Sequence, residues 1–391
     1  MSKMTSQLLG QNNLCRIETG GTPSTMIGRY WENGTIPWME SGDIHKKRVR
    51  ETTRYITQEG YDNSNAKYLP ENSVLVALAG QGKTRGTVAI SELVLTTNQS
   101  VAAIIPNKEK LDANYLYYFL HNQYEKLRNH SAGAGRAGLS KKLLLDFSIK
   151  FPPLPDQRNI SDILTTADTL IEKTEDEIGK KELVRKGLMA EAFSPEMNKS
   201  ISWDKATLDS ILKRIIDYRG KTPRKTEFGV PLITAKNVRM GFVDPEPREF
   251  IAERDFDSWM TRGLPVPSDV LFTTEAPLGN VAQIDTKDMI AFAQRVIVLQ
   301  PNSAILPAFL MYLLMSDKVQ RAILRLASGS TVLGIKQSTF RKIGVEYPKD
   351  LFYQRNIVDR IKAVEGDIDV EKNYLFKLRT IKSGLMERLL N

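Results

Sequence analysis

The sequence predicts an α+β protein in which two tandem mixed α/β domains are separated by two long helices, arranged as a pseudo-twofold internal repeat. Gln-Arg-Asn-Ile occurs at residues 157–160 and again at 354–357, and Gly-Leu-Met occurs at 187–189 and again at 384–386. Both pairs are 197 positions apart (354 minus 157), about half of the 391 residues. A self-match at one fixed offset indicates duplicated architecture.

The repeat divides the chain into four predicted segments. A first mixed domain is expected at residues 1–154, a central long helix at 155–195, a second mixed domain at 196–350 and a C-terminal long helix at 351–391. The length alone allows two to three domains, each with its own core.

Short apolar runs predict strands in the first domain at residues 74–78, 87–90, 101–105 and 147–151. Asp112 precedes apolar residues at helical spacing and is expected to cap a helix. The second domain repeats this framework, and its residues 307–315 correspond to the helix that follows Asp112. Most loop residues differ, which indicates one scaffold with two different recognition surfaces.

The two long segments have the apolar spacing of paired helices. The second copy steps by threes and fours, which is typical of a coiled-coil seam, and the partner of each helix is expected to be the other. One segment with an apolar stripe would indicate an ordinary core helix. Two such segments of equal length, separated by the offset of the repeat, favour pairing of the two helices. The predicted seam positions are Ile160, Ile163, Ala167, Leu170, Ile357, Ile361, Val364, Ile368, Leu375 and Leu378.

The helices are expected to lie antiparallel because a whole domain separates them in the chain. At 1.5 Å per residue, the 38 residues 156–193, where glycine is rare and proline absent, would form a helix about 57 Å long. We therefore interpret the pair as a spacer that holds the two domains apart.

The composition restricts the classes of function. The longest apolar run, residues 304–315, contains a proline and is too short to span a bilayer, and the N-terminus lacks the apolar core of a signal peptide. The single cysteine, Cys15, fits a reducing cytoplasm. A cytoplasmic protein without a membrane partner is predicted, and the three scattered histidines predict no metal site.

The net charge of +9 favours a polyanionic partner, although a general solubility charge would also explain it. Cations cluster in expected loops, several beside glycine, where they can approach phosphates; one run is residues 46–50. The candidate nucleic-acid contacts are Lys83, Arg85, Arg136, Lys141, Lys142, Arg219, Lys221, Arg224, Lys236, Lys336 and Arg341.

Residues 77–84 match a loose form of the phosphate-binding loop of nucleotide-hydrolysing enzymes. Such a loop must lead into a helix, whereas residues 87–90 have the pattern of a strand. We expect a glycine-rich hairpin loop instead. Residues 151–154 lack the polar residue of an amino-methyltransferase motif, and no catalytic residues are predicted.

A family resemblance extends over nearly the whole chain. Its motifs are Gly-Gly-Thr-Pro-Ser at 20–24, Tyr-Trp at 30–31, Ile-Pro-Trp at 36–38, Phe-Pro-Pro-Leu-Pro-Asp-Gln-Arg-Asn-Ile at 151–160 and Lys-Gly-Leu-Met at 186–189. Together they resemble the specificity subunit of a type I restriction-modification system. The second copy departs from the pattern at residues 347–354, so the turn into the second helix is expected to differ.

The resemblance implies two target-recognition domains, each reading half of a bipartite double-stranded DNA site, and an antiparallel coiled coil. It implies two modification subunits, which methylate adenine, and two restriction subunits. S-adenosylmethionine, ATP and Mg²⁺ are expected on those partners, and no cofactor in this chain.

The predicted function is recognition of an asymmetric bipartite DNA target, with halves roughly one helical turn apart, and recruitment of the modification and restriction subunits. One alternative is a non-catalytic coiled-coil scaffold without sequence-specific DNA binding. Another is an ATPase that uses Lys83.

Overall fold

The computed structural model describes residues 4–80, 82–130, 138–218 and 223–391. The chain divides into two compact units. Unit 1 contains Met1–Asp176 and Asn373–Asn391, and unit 2 contains Glu177–Lys372. Each unit therefore includes part of both long helices as well as a globular part.

The globular part of unit 1 mixes strands with short helices. Its strands are β1 (Thr5–Leu8), β2 (Cys15–Thr19), β3 (Ile36–Met39), β4 (Arg48–Val49), β5 (Arg54–Ile56), β6 (Val74–Ala77), β7 (Val88–Ser91), β8 (Thr96–Thr97), β9 (Val101–Pro106) and β10 (Ser148–Phe151). Its helices are α1 (Gln58–Asp62), α2 (Ala113–Asn122), α3 (Tyr124–Asn129) and α4 (Lys141–Leu145), with 3₁₀ turns at Gly28–Tyr30 and Ser41–Lys46. The first long helix, α5, spans Leu154–Ala192.

The largest sheet of unit 1 has the strand order β2-β9-β6-β7-β4, and a smaller sheet has the order β5-β3-β8. Strand β6 is buried on both faces, because Val74 and Val76 pack into one apolar core and Leu75 and Ala77 into another. Alternate residues of a strand face opposite sides of the sheet. The strand therefore needs a continuous apolar run, which is the signal that predicted it.

The globular part of unit 2 repeats this organisation. Its strands are β11 (Trp203–Thr207), β12 (Leu212–Asp217), β13 (Lys225–Thr226), β14 (Val230–Ile233), β15 (Phe250–Ile251), β16 (Val270–Thr274), β17 (Leu278–Gln283), β18 (Ala291–Phe292), β19 (Val296–Pro301) and β20 (Gly344–Pro348). Its helices are α6 (Leu208–Ile211), α7 (Phe256–Trp259), α8 (Pro307–Met315), α9 (Asp317–Leu326) and α10 (Gln337–Phe340), with a 3₁₀ turn at Glu253–Asp255. The second long helix, α11, spans Leu351–Leu390.

The sheets of unit 2 have the orders β12-β19-β16-β17 and β13-β15-β14-β18. In both units the last strand of the globular part, β10 or β20, pairs antiparallel with the first, β1 or β11, and leads directly into a long helix. The α+β class predicted from the sequence is confirmed. The strands predicted near residues 74, 87, 101 and 147 are β6, β7, β9 and β10, and Asp112 caps α2 as expected.

Candidate nucleic-acid interface

The first long helix is anchored by a buried glutamine from the repeated tetrapeptide. Gln157 has no exposed surface. Its side-chain oxygen accepts from the backbone N–H of Asp112 at 2.9 Å, and its amide donates to the carbonyls of Lys110 at 3.1 Å and Pro152 at 2.9 Å. One side chain thus joins the start of α5, the cap of α2 and the end of β10.

Gln354 makes the same three contacts in unit 2. It accepts from the N–H of Leu306 at 2.9 Å and donates to the carbonyls of Ala304 at 3.0 Å and Pro348 at 2.8 Å. The expected difference at the entrance of the second helix does not extend to these anchoring bonds. The tetrapeptide is repeated in part because its first residue has the same structural task twice.

The long helices run antiparallel within unit 1. Asp168 of α5 forms an ion pair with Lys382 of α11, and Glu175, further along α5, pairs with Arg379 at 2.6 Å. As residue numbers rise on one helix they fall on the other.

The same arrangement holds within unit 2, where Lys181 pairs with Glu371 at 2.9 Å and Arg185 with Glu365 at 3.0 Å. Half-exposed ion pairs contribute little to stability. Their main consequence is alignment of the two helices.

Each unit also contains a tyrosine that joins its globular part to both long helices. In unit 1 the hydroxyl of Tyr118, on α2, donates to Asp168 at 2.7 Å, and Asp168 pairs with Lys382. Burial raises the pKa of Tyr118 to about 12, so the hydroxyl keeps its proton at neutral pH.

In unit 2 the hydroxyl of Tyr312, on α8, donates to Glu365 at 2.6 Å, and Glu365 pairs with Arg185. Burial, and then the Glu365 carboxylate, raise the pKa of Tyr312 above its ordinary value. Asp168 and Glu365 are 197 positions apart, and so are Arg185 and Lys382. Each tyrosine network is therefore one copy of a duplicated feature.

Two predicted seam positions of α5 are wrong. Ile163 and Leu170 are 46% and 40% exposed, whereas Leu164, one residue later, is fully buried and Ile171 is partly buried. The buried stripe also carries polar residues such as Asp168, which bonds to the globular part. At these two positions the search for apolar spacing selected the residue one position too early.

The other predicted seam residues are more enclosed. Ile160 and Ala167 are partly buried on α5. On α11 the buried positions are Ile357, Ile361, Ile368, Leu375 and Leu378, and Val364 is partly buried.

Strand registers bring several loops to one edge of unit 1. Thr19 at the end of β2 lies opposite Ala102 near the start of β9, and Ala77 at the end of β6 lies opposite Val101. Met39, at the end of β3, lies beside Thr97 in the second sheet. The loops after β2, β3, β6 and β8 therefore meet at this edge, which we call the loop edge of unit 1.

Cross-loop hydrogen bonds hold this edge together. The hydroxyl of Thr22 donates to the side chain of Gln99 at 2.7 Å. Leu78 N donates to the carbonyl of Ser100 at 2.8 Å, and Leu139 N donates to the carbonyl of Leu78 at 2.8 Å. The loop edge is thus a connected surface rather than a set of separate loops.

The predicted cations Lys83 and Arg85 lie in the loop between β6 and β7. These strands pair antiparallel, so the segment is the expected hairpin loop and no helix follows it. Lys83 is exposed, and its carbonyl accepts from the hydroxyl of Tyr124 at 2.9 Å.

Lys141 and Lys142 are exposed on α4, just after the Leu139 contact. The pKa of Glu18, at the end of β2, is lowered mainly by a hydrogen bond from Lys67, and Lys141 adds to this effect. Lys141 lies near the loop edge because Leu139, two residues before it, bonds to Leu78 there. Arg136 lies outside the described residues.

Unit 2 has a corresponding loop edge. Asp217 at the end of β12 lies opposite Ile297, and Thr273 on β16 lies opposite Val296. Thr274 N donates to the carbonyl of Arg295 at 2.9 Å, and Ile335 N donates to the carbonyl of Thr274 at 2.9 Å. These bonds match those of Leu78 in unit 1.

A cavity of about 170 Å³ opens in this region. It is lined by Lys225, Thr234, Ala235, Lys236, Glu249, Ala276, Ala293, Gln294 and Arg295. Three of these side chains are cationic, and one is a carboxylate that pairs with Lys225 at 2.7 Å.

The predicted cations of unit 2 separate into two groups. Arg224, Lys236 and Lys336 are exposed in loops of the loop edge or directly beside it. Arg341 instead pairs with Asp209 of α6 at 2.9 Å. Arg219 and Lys221 lie outside the described residues.

The cationic run at residues 46–50 is only partly a solvent loop. The side chain of Arg48 is 9% exposed and donates to Glu92, Tyr118 and Thr165. Arg50 pairs with Glu92 at 2.8 Å. Because their partners are distant in sequence, the charge pattern could not distinguish these arginines from surface cations.

The sequence did not single out one further cation at the loop edge of unit 2 as a candidate. Arg295 lines the cavity of unit 2 and has a φ of 77°, which is uncommon for a residue other than glycine. The repeated pattern Gln294 to Val296, which answers residues 99–101, was the available signal. Among the residues described, no cluster of histidine, cysteine and carboxylates suits a metal ion, and no helix is long and apolar enough to cross a membrane.

A duplicated α+β fold with a cationic loop edge in each copy and a shared helix pairing pattern defines a two-domain recognition protein. The sequence profile described as "Type I restriction modification DNA specificity domain" matches residues 8–180 and 261–379. The chain belongs to this family.

Curated relatives agree with the family. The chain is 25% identical over 388 residues to the type I restriction enzyme MjaVIII specificity subunit of Methanocaldococcus jannaschii, covering 95% of this chain and 88% of the relative. It is 30% identical over 154 residues to the EcoR124I/EcoR124II specificity subunit of Escherichia coli, covering 39% of this chain and only 38% of that relative.

Solved structures share the fold. The type I restriction-modification S subunit from M. genitalium superposes with a TM-score of 0.65 at 16% identity, covering 100% of this chain and 96% of the other. A chain from a study of complex assembly and conformational transition of the type I system gives a TM-score of 0.59 at 15% identity, covering 99% and 97%.

Proposed function

We propose that this chain directs a type I restriction-modification complex to an asymmetric bipartite DNA target. One observation carries the proposal: in both units the strand registers bring loops with exposed cations to one edge. Membership of the specificity family supports it. The loops of the two edges differ in sequence, so each unit would read a different half-site.

The cations would bind phosphates and fix the register, while polar side chains would read base edges in the grooves. The proposed phosphate contacts are Lys83, Arg85, Lys141, Lys142, Arg224, Lys236 and Lys336, together with Arg136, Arg219 and Lys221 outside the described residues. Arg341 is the weakest candidate, since it would have to leave Asp209.

The chemistry would reside on partner subunits. Two modification subunits would bind S-adenosylmethionine and methylate adenine, and two restriction subunits would use ATP and Mg²⁺. This chain would recognise the DNA sequence and provide the surface on which the other subunits assemble. Such a complex would act in the cytoplasm, where the cell's DNA lies.

Binding of the assembled complex to duplex DNA tests the proposal. The target would first be found by mapping methylation in cells that express this chain with its modification partner. Affinity measured at increasing salt should fall steeply, with a log–log slope of about −0.9 for each phosphate contact. A protein scaffold would show no sequence-dependent methylation and no such slope, and that result would remove the proposal.

The spacer interpretation has its own test. Adding one heptad to each long helix should lengthen the unread stretch between the half-sites in the methylation map. An unchanged spacing would show that helix length does not set it.

A further inference from the structure

Two large apolar side chains stand out for their exposure. Met26 in unit 1 is 94% exposed and Phe228 in unit 2 is 80% exposed, the two largest fractions among the large apolar side chains that the structure describes. A single exposed apolar residue needs no explanation. These two, however, lie in corresponding loops of the two copies.

The loops correspond by topology. Met26 follows the Gly-Gly-Thr-Pro turn at residues 20–23, in the connection from β2 to β3. Phe228 follows the Gly-Lys-Thr-Pro sequence at residues 220–223 and the short strand β13, and it lies two residues before β14, whereas Met26 lies ten residues before β3. Both connections leave the loop edge of their unit.

The loop of unit 1 is held in place. Thr22 donates to Gln99 at 2.7 Å, which ties the loop to the loop edge. The indole N–H of Trp31 donates to the carbonyl of Ser24 at 3.1 Å. Met26 therefore extends from a fixed turn.

The loop of unit 2 is held equally closely. The hydroxyl of Thr226 donates to the carbonyl of Phe228 at 2.9 Å. Gly229 has a φ of +136°, and a Cβ atom there would lie 2.2 Å from the carbonyl oxygen of Ile251. A glycine is thus required directly after the aromatic residue, and the backbone that carries Phe228 is fixed.

Cations lie next to both tips. Arg224, which is exposed, lies four residues before Phe228. Lys225 lies three residues before Phe228 and lines the cavity, where it pairs with Glu249 at 2.7 Å. In unit 1, Arg29 follows Met26 by three residues and pairs with Glu59 at 2.8 Å. An apolar tip beside cations suits a polyanion with an apolar interior, which is the chemistry of stacked base pairs.

We propose that Met26 and Phe228 are wedges that insert between neighbouring base pairs, one in each half-site. Phenylalanine and methionine are among the side chains that proteins insert between base steps to unstack and kink a duplex. This inference rests on the DNA-recognition function proposed above. It adds that each half-site is read partly through its deformability, without hydrogen bonds to every base.

The test uses the full chain assembled with its modification subunits and bound to its mapped target. Permanganate oxidation of thymines reports unstacked base steps. Modification subunits that flip the target adenine would leave the opposite thymine reactive in every variant. The wild-type complex should expose one further reactive step in each half-site, and this further step is the signal of the wedge. Phe228→Ala should abolish the signal in one half-site only, Met26→Ala in the other, and Phe228→Leu should retain it.

Affinity provides the second measurement. Phe228→Ala should weaken binding roughly 5- to 150-fold, the range found for base–aromatic stacking, and Met26→Ala should weaken it as well. The slope of affinity against salt should not change, since an apolar contact releases no counterions. Matched controls are Met289→Ala and Val94→Ala, which remove exposed apolar residues from the loops after β17 and β7.

Three results would overturn the inference. They are wild-type affinity and reactivity in both alanine variants, absence of unstacked steps in the wild-type complex, and loss of subunit assembly with DNA distortion intact. The last would assign the tips to a protein partner. If the complex still binds DNA in a sequence-specific and salt-dependent way in any of these cases, the proposed DNA-recognition function stands. If it shows no such binding, both the proposed function and the insertion of the two side chains are refuted.

Discussion

Replacement of Gln354 by methionine should destabilise unit 2 locally and strongly. Methionine has a similar length but cannot form the three hydrogen bonds to Leu306, Ala304 and Pro348. A buried backbone group left without a partner costs about 1–3 kcal/mol. Leu306 and Ala304 are partly exposed, so water can replace part of the loss. We expect a destabilisation of about 2–4 kcal/mol.

Amide hydrogen exchange measured by mass spectrometry is the suitable assay, because it reports on each unit separately. Exchange in peptides from α8 and β20 should accelerate roughly 30- to 800-fold, the factor that corresponds to about 2–4 kcal/mol. Peptides from unit 1 should not change. Gln157→Met should give the mirror result, with acceleration in α2 and β10.

The neighbouring residue of the same tetrapeptide is the control. Arg355 is exposed, and Arg355→Ala should change stability by no more than about 0.5 kcal/mol. Equal effects of Gln354→Met and Arg355→Ala would show that the hydrogen bonds do not hold the helix entrance. The structural explanation for the repeated glutamine would then be wrong.

Three further outcomes follow from the geometry. Tyr312→Phe removes the hydrogen bond to Glu365 and should lower the stability of unit 2 by about 1.5–3 kcal/mol, the range for bonds to charged groups. Thermal unfolding measures this loss. An equal loss in Tyr374→Phe, which changes an exposed tyrosine, would contradict the prediction. The pKa of His121 is lowered by burial and then by Lys382 and Lys47, against an opposing effect of Asp168, so the unfolded chain takes up the proton first. The contribution of neutral His121 to stability should be complete above about pH 6.5 and should decline as the pH falls towards the folded-state pKa. The melting temperature of His121→Asn should therefore depend less on pH in this range. An unchanged pH dependence would refute the assignment. Lys236→Ala and Lys336→Ala should each reduce the magnitude of the salt slope of DNA binding by about 0.9, whereas Lys287→Ala, an exposed cation on the loop after β17, should leave the slope as it is.

Local signals predicted the framework well. The cap at Asp112 and the apolar run of β6 depend on residues close together in sequence. The repeated tetrapeptide marked the entrances to α5 and α11, although its glutamines bond to residues distant in sequence. The repeat also predicted that α8 would answer α2. These features were accessible because capping and helix spacing operate over three or four residues.

The interface was harder to predict, since it depends on pairing between distant strands. The sequence indicated cations in loops, but only the registers of β2, β6 and β9 show which loops share an edge. Arg48 illustrates the limit, because it belongs to a cationic run and yet bonds to Glu92 and Tyr118. The α5 seam shows a second limit: polar residues that bond to the globular part can occupy a buried stripe.

The tyrosine networks carry a consequence for the origin of the chain. The first half contains Tyr118, Asp168 and Arg185, and the second half contains Tyr312, Glu365 and Lys382. Each half thus contains one hydroxyl, one acid and one base, but its acid pairs with the base of the other half. Two identical copies of one half, paired antiparallel about a twofold axis, would contain every group needed for two such networks. The present chain has the logic of a homodimer fused into one polypeptide, and fusion allows its two loop edges to diverge while the bonds at the centre stay reciprocal.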